Sequence, residues 1–447
     1  MRVVPGGLDG AVRVRSTRAP DGPDVALDDA ILAGLAPDGG LYLPVGVPAL
    51  PPDWRASTSL ADLARRVLAP WWGDDADEIA PLLGDALDFE VPLRPLPHGR
   101  WLLELFHGPT LSFKDVGART MARLTGRALA RRGGEATVLV ATSGDTGSAV
   151  ADGFSGVPGV RVALLYPAER VSDVQERQLI QARPGVRAFA VEGDFDACQR
   201  LVKGAFVDPA LADVGLTSAN SINIGRLLPQ MLYYLWAALL LEREHGRSEA
   251  PYLVVPSGNL GNLTGGLLAA ATGMPAAGFL AAHNANRFVP DLLSGRAAIG
   301  DVPATVATLS NAMDVGAPSN LERLWRWYGE GLRERIEAVS VLDGPTLERM
   351  RITAEEDGVV VCPHTAVGLE GLARVRDARP ELAGTPAVVL ATAHPAKFPA
   401  SVRRATGGEP PRAAALDASF RGPTRVEALP AEPAALREAL LDGGWRA

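Results

Sequence analysis

From about residue 99 onward, short apolar runs alternate with small polar loops and longer amphipathic stretches. Residues 101–105, 137–141, 161–166, 186–191, 252–255, 278–282 and 387–391 each read as a strand. A loop rich in Gly, Ser, Thr or Asn follows several of them, and then a helical pattern. Strand, loop and helix repeating in this way predict βαβ units, with parallel strands and helices on both faces. Residues 224–244 are apolar on most sides and predict a central buried helix. The ten-residue apolar run 232–241 is too short to span a bilayer.

The first 98 residues have a different rhythm. Residues 27–35, 60–68 and 76–87 have helical spacing, 41–44 suggest a short strand, and 48–52 a linker. No catalytic pattern stands out there, and Trp71-Trp72 reads as packing. Residues 319–357 predict mostly helix, 405–428 a loosely packed arm rich in Gly, Pro and Ala, and 433–441 a terminal helix. The expected division is therefore a mostly helical unit over 1–98, an α/β unit over 99–222 and a second α/β unit over 223–447.

Composition narrows the function. The chain has 447 residues, a formal net charge of −8 and a pI near 5.4. That argues against a nucleic-acid partner or a polybasic membrane surface. The N-terminal stretch has no long apolar core, so no signal peptide is expected. The two cysteines, Cys198 and Cys362, are far apart and read as reduced thiols, which suits the cytoplasm. The six histidines show no metal-ligand spacing, so no metal site is expected.

The basic residues are unevenly chosen: 41 arginines and three lysines, Lys114, Lys203 and Lys397. Lysine can lose its proton and form an imine with a carbonyl, which arginine cannot do. Lys114 follows the turn Gly108-Pro109 and opens an amphipathic stretch. Lys203 lies beside Arg200 on a helical pattern and reads as a solvated face. Lys397 reads as a surface residue or as a second cation near an anion.

Three loops lie where open parallel sheets bind ligands, past the carboxyl ends of strands. Ser257-Gly258-Asn259-Leu260-Gly261-Asn262 joins a strand to a helix and has the physics of a phosphate cradle, with glycines and a helix N-terminus. It lacks the Gly-Lys-Ser/Thr ending of a P-loop. Thr142-Ser143-Gly144-Asp145-Thr146 offers hydroxyls and amides to a small anion such as a carboxylate. Asp145 opposes an anion there unless it faces elsewhere, for instance as a helix cap. Thr392 presents a hydroxyl at a strand end. An imine-forming lysine, a phosphate cradle and hydroxyl-bearing strand ends together suit pyridoxal 5′-phosphate.

These stretches resemble the threonine synthase family, fold-type II pyridoxal phosphate enzymes, in the shorter bacterial form. The resemblance is carried by 103–110, Ser112-Phe113-Lys114-Asp115, 141–147, 193–199, 218–223, 255–261, 309–315 and 392–398, in the family's order. The segment 38–44 and the terminal helix also fit. It implies two parallel-sheet α/β domains with the cofactor between them, beside the N-terminal unit. By the same resemblance, Lys114 holds the cofactor as an imine, Ser257 to Asn262 bind its phosphate, and Thr392 bonds the pyridine nitrogen. Thr142, Ser143, Gly144, Asp145 and Thr146 hold the substrate carboxylate. Ser172, Gln175, Asn220, Ser221 and Asn223 are candidates for its phosphate end. Leu260 and Asn262 stand where the family often has Phe and Asp. The implied reaction converts O-phospho-L-homoserine and water to L-threonine and phosphate. A dehydratase or phospho-lyase giving 2-oxobutyrate, and a non-catalytic phosphometabolite-binding protein, are the alternatives. No motif speaks to oligomeric state.

Overall fold

The strands of the α/β region assemble into two sheets. A computed structural model describes residues 2–4, 10–168, 171–301, 303–442 and 444–445. One sheet has five parallel strands in the order Leu216–Thr217, Ala136–Ala141, Val160–Pro167, Val186–Val191, Glu427–Leu429. The other has six, in the order Glu337–Ser340, Gly278–His283, Tyr252–Pro256, Ala387–Ala391, Arg100–Glu104, Leu93–Leu96. All neighbours in it are parallel except the last pair. Strands covered on both faces read as continuous apolar runs, and every residue of Ala136–Ala141, Tyr252–Pro256 and Ala387–Ala391 is buried.

The sheets do not follow the chain division at 98 and 222. Arg100–Glu104 leads into Lys114 yet pairs with Ala387–Ala391 in the six-stranded sheet. Glu427–Leu429 comes from the last tenth of the chain and closes an edge of the five-stranded sheet. Pairing in a parallel sheet depends on which apolar strand lies alongside, not on closeness in sequence. The segment expected to be a loose arm instead contains the helix Ala414–Arg421 and this edge strand. Arg187 anchors the strand: its Nε donates to Glu427 Oε1 at 2.9 Å.

Residues 224–245 form one long buried rod, Ile224–Leu227, a 3₁₀ turn Leu228–Gln230, then Met231–His245. Pro229, which has no N–H to donate, lies in the 3₁₀ turn. The rod is long and apolar enough to cross a membrane, but it is buried in the core. The expected helix after Pro167 begins only at Asp173; Glu169 and Arg170 lie outside the described residues. The terminal helix Pro433–Leu441 packs Leu436 and Leu440 against Cys198 and Leu201.

The N-terminal unit is mostly helical, with a three-stranded antiparallel sheet of Val25–Ala26, Arg13–Ser16 and Tyr42–Pro44. It is tied to the α/β body by buried polar groups. Arg323 is fully buried; its Nε donates to Tyr42 O at 2.9 Å, and its other nitrogens donate to Ser221 O, Ile222 O and Asn320 Oδ1. Arg323→Ala leaves those carbonyls without their donor. Urea unfolding should show a loss of at least about 3 kcal/mol, because bonds from a charged donor in the interior are lost together.

Candidate active site

The loops after Arg100–Glu104, Ala387–Ala391 and Tyr252–Pro256 leave three adjacent parallel strands at the same edge. The first two are stitched together. Leu105 N donates to Ala391 O at 3.0 Å, Phe113 N to Thr392 O at 2.9 Å, and Ser112 bridges Ala393. Lys114 then opens the helix Lys114–Arg132. The loops after Ala136–Ala141 and Val160–Pro167 bring Asp145 and Gln175 from the other sheet.

Lys114 Nζ lies 3.9 Å from Asp145 Oδ2 and 4.7 Å from the centre of the Phe113 ring. Burial lowers its pKa to about 8; Asp145 opposes that shift, while Lys397 and Arg226 add to it. An amine in this range is partly neutral near neutral pH and can act as nucleophile and base. Burial disfavours the Asp145 carboxylate, yet Lys397 and Lys114 outweigh it and hold the group well below the usual carboxylate range. Asp115 supports the turn: it accepts from Thr110 N at 2.9 Å and from Thr110 Oγ1. Burial pushes it up to about 6, against those bonds.

Lys397 is not a surface residue. It is fully buried, and its Nζ sits 2.9 Å from Asp145 Oδ1 and 2.9 Å from Thr110 O. A buried ammonium needs a countercharge, and Asp145 supplies it. Asp145 therefore faces a cation, which removes its conflict with an anion at the Thr142 loop.

Gln175 bridges the two sheets. Its Nε2 donates to Asp145 Oδ1 at 3.0 Å, and its Oε1 accepts from Asn311 Nδ2 and Ser172 Oγ, both at 3.1 Å. Gly144, at φ 135°, makes this approach possible: a Cβ there would lie 2.6 Å from Gln175 Cδ. Thr142 Oγ1 accepts from Gly144 N and Gly147 N and so shapes its own loop. Ser143 and Thr146 are half-buried beside it.

The cradle begins where Ser257 N bonds Ala282 O and Ser257 Oγ bonds Val255 O. Gly258 passes so near the 311–313 turn that a Cβ would meet Met313 Cα at 2.9 Å. Leu260 adopts a left-handed φ of 60° and turns the chain into the helix Gly261–Ala271. Asn259 locks the turn, donating to Ser221 Oγ at 2.7 Å and accepting from Ser319 N at 2.5 Å.

Two of the expected contact residues bond within the protein. Asn262 points its carboxamide oxygen at the hydroxyls of Tyr233 and Tyr234, 2.5 and 2.6 Å away, while its Nδ2 is buried with no hydrogen-bond partner among the described residues. Asn223 donates to Ile31 O and Ser218 O, both at 2.9 Å, and caps Gly225 N at 2.8 Å. That set occupies the buried amide and ties down the N-terminal unit. Asn220, half-buried, and Ser221 lie on the same stretch.

His364 and Asn311 are two further residues of the site, neither assigned a role by the residue patterns above. Ala312 N donates to His364 Nε2 at 3.2 Å, which puts the imidazole proton on Nδ1. Burial lowers His364 to about 4, so the ring is neutral. His364 Nδ1, Asn311 Oδ1, Ser112 Oγ and Gln178 Oε1 are buried without a hydrogen-bond partner among the described residues. Such groups cost free energy unless a ligand or water meets them. His364 follows Cys362-Pro363, a spacing too common to single out, and Asn311 lies in the 309–315 stretch that carries the resemblance, with no role of its own there; both cysteines are buried and free.

The residues fit pyridoxal phosphate. A largely buried amine of lowered basicity stands where loops of both sheets meet. An eleven-residue helix presents its N-terminus behind a turn that Gly258 alone can make so close, and Thr392 is a buried neutral hydroxyl at a strand end.

Comparison with known proteins agrees. The model for pyridoxal-phosphate dependent enzymes matches residues 91–393, and those for the threonine synthase N terminus and C-terminal region match 13–81 and 365–440. A threonine synthase of Serratia marcescens is 42% identical over 429 residues, covering 93% of this chain and 96% of that protein. The crystal structure of pyridoxal phosphate-bound threonine synthase from Brucella melitensis superposes with a TM-score of 0.87 at 34% identity, covering 96% of this chain and 99% of that one. Threonine synthase from Escherichia coli gives 0.86 at 36%, covering 96% and 99%.

The chain belongs to the threonine synthase family.

It is accordingly a pyridoxal-phosphate dependent enzyme of the fold-type II architecture. Two outcomes follow for a threonine synthase built in this way. Gly258→Ala forces the cradle against backbone, so equilibrium dialysis should find cofactor affinity at least about tenfold weaker while circular dichroism stays unchanged. Cofactor uptake by the cofactor-free protein needs the neutral Lys114 amine. Its rate, followed by stopped-flow absorbance, should climb with pH through a midpoint of about 8 and fall about tenfold per pH unit well below it.

Proposed function

We infer that this protein is a threonine synthase, a lyase that turns O-phospho-L-homoserine and water into L-threonine and phosphate. The observation that carries the reading is the Lys114 amine, largely buried beside Asp145 in a chain that matches threonine synthases along nearly its whole length. Bound pyridoxal phosphate supplies an electron sink that makes protons on the adjoining substrate carbons acidic.

The chain's own groups do the rest. Lys114 would hold the cofactor through its amine, and its Nζ is a base of about the right strength for the substrate Cα proton. The same nitrogen returns a proton to Cα at the end. Ser143, Thr146 and the N-terminus of the helix Asp145–Phe154 receive the substrate carboxylate. Gln175 keeps that loop and Asn311 in register across the cleft. Asn220 and the His364 Nδ1–H are the donors available to the phosphate end. Thr392 would offer the pyridine nitrogen a neutral hydroxyl, which would leave the ring less electron-withdrawing than a carboxylate partner would.

The test measures two products at once. Wild-type enzyme should release threonine and phosphate in equal amounts; phosphate accompanied by 2-oxobutyrate instead of threonine would sink the assignment. Lys114→Ala should keep its far-ultraviolet spectrum, lose the visible band of bound cofactor, and lose at least about a hundredfold in turnover.

A further inference from the structure

We propose that Lys397 is a positioning residue that acts through Asp145, fixing the carboxylate beside the Lys114 amine and balancing its charge. The inference rests on Lys114 being the lysine that carries the cofactor. It assigns a role to a residue five positions past Thr392, on the 3₁₀ turn Pro395–Lys397.

The geometry is over-determined at one oxygen. Asp145 Oδ1 receives Lys397 Nζ at 2.9 Å and Gln175 Nε2 at 3.0 Å. Two donors on Oδ1 leave Oδ2 turned to Lys114, at 3.9 Å, too far for a direct bond but close enough for a strong field. The second bond of Lys397 goes to Thr110 O, in the turn that leads to Lys114. One ammonium thus joins three segments: its own turn beyond Ala387–Ala391, the helix start at Asp145 on the other sheet, and the lysine-bearing turn. Gln178 Nε2 also donates to Thr110 O, at 3.3 Å, which braces the same carbonyl.

The residue type fits this role. The chain uses arginine 41 times and lysine three times. A fully buried site with acceptors on two sides suits a compact ammonium, which can send separate donors to each; a planar guanidinium needs more room. The charges that face Lys114 are Asp145 and Asp115 on the acidic side and Lys397 and Arg226 on the basic side, with neutral His364 nearby. Removing Lys397 alone leaves the Lys114 amine next to an uncompensated carboxylate, which favours its protonated form. Removing the Asp145 charge alone leaves buried cations together, which disfavours it.

The small number of lysines makes the test direct. Full-length protein labelled with carbon-13 at lysine Cε should give three resonances, with exposed Lys203 as the internal reference. In Lys397→Met the Lys114 titration midpoint should rise by about one pH unit, and in Asp145→Asn it should fall by about as much. The same order should appear in the pH titration of the visible band of the loaded enzyme. The double variant Asp145→Asn, Lys397→Met leaves no half of the pair behind. It should titrate above Asp145→Asn alone, so the proposal stays testable even if Lys397→Met does not fold. Midpoints that do not move, single variants that move in the same direction, or a double variant at or below Asp145→Asn would overturn it. Cofactor loading of wild-type protein, absent in Lys114→Ala, tests the underlying reading separately, since the lysine titration does not depend on it.

Discussion

Keeping a primary amine out of water without leaving it permanently protonated is the constraint around which this molecule is built. An isolated buried ammonium is too costly, and a lone buried ion pair would favour the charged amine. The cluster of Lys114, Asp145, Lys397, Arg226 and Asp115 divides the difference, and the amine settles near 8. The arrangement needs groups from both sheets. Lys114 and Lys397 come from the six-stranded sheet and Asp145 from the five-stranded one, so the site exists only where the two meet.

The phosphate side follows a different logic. Its turn is made by conformation more than by side-chain charge: Gly258 against Met313, Leu260 in the left-handed region, and Asn259 pinned by Ser221 and Ser319. Asn262 then fastens the first turn of the helix to two tyrosines of the central rod. A dianion bound there would sit on amides whose positions are set by packing far from solvent. A leucine at φ 60° is strained by about 1 kcal/mol or more, and the bonds of Asn259 and Asn320 around it offset that cost.

Much of this was legible in the sequence, for physical reasons that differ by element. Parallel strands buried on both faces are continuous apolar runs, so 137–141, 252–255 and 387–391 stood out. Lys114 stood out because lysine is rare here and follows a Gly-Pro turn. The glycine-rich turn at 257–262 announced itself by its place between strand and helix. Partnership over long sequence distances was not legible. Lys397 reads as a solvated cation until Asp145 is beside it. Asn223 reads, by resemblance, as a candidate for the substrate's phosphate end, and its bond to Ile31 O, 192 residues away in sequence, is invisible there. Asn262 has the composition of an anion site, but Tyr233 and Tyr234 claim its oxygen. The 405–428 segment looked loose because its strand is three residues long and finds its partner only at Val186–Val191.

That late strand has a consequence for how the chain matures. Val160–Pro167 and Val186–Val191 leave the ribosome early, yet the outer rim of their sheet stays open until Glu427–Leu429 arrives. An unfilled parallel edge offers main-chain amides to any extended segment nearby. During synthesis the nascent five-stranded sheet therefore carries an adhesive margin, and the closing segments of the polypeptide act as its seal. Loss of those segments would expose a surface prone to self-association while the lysine-bearing half remained intact.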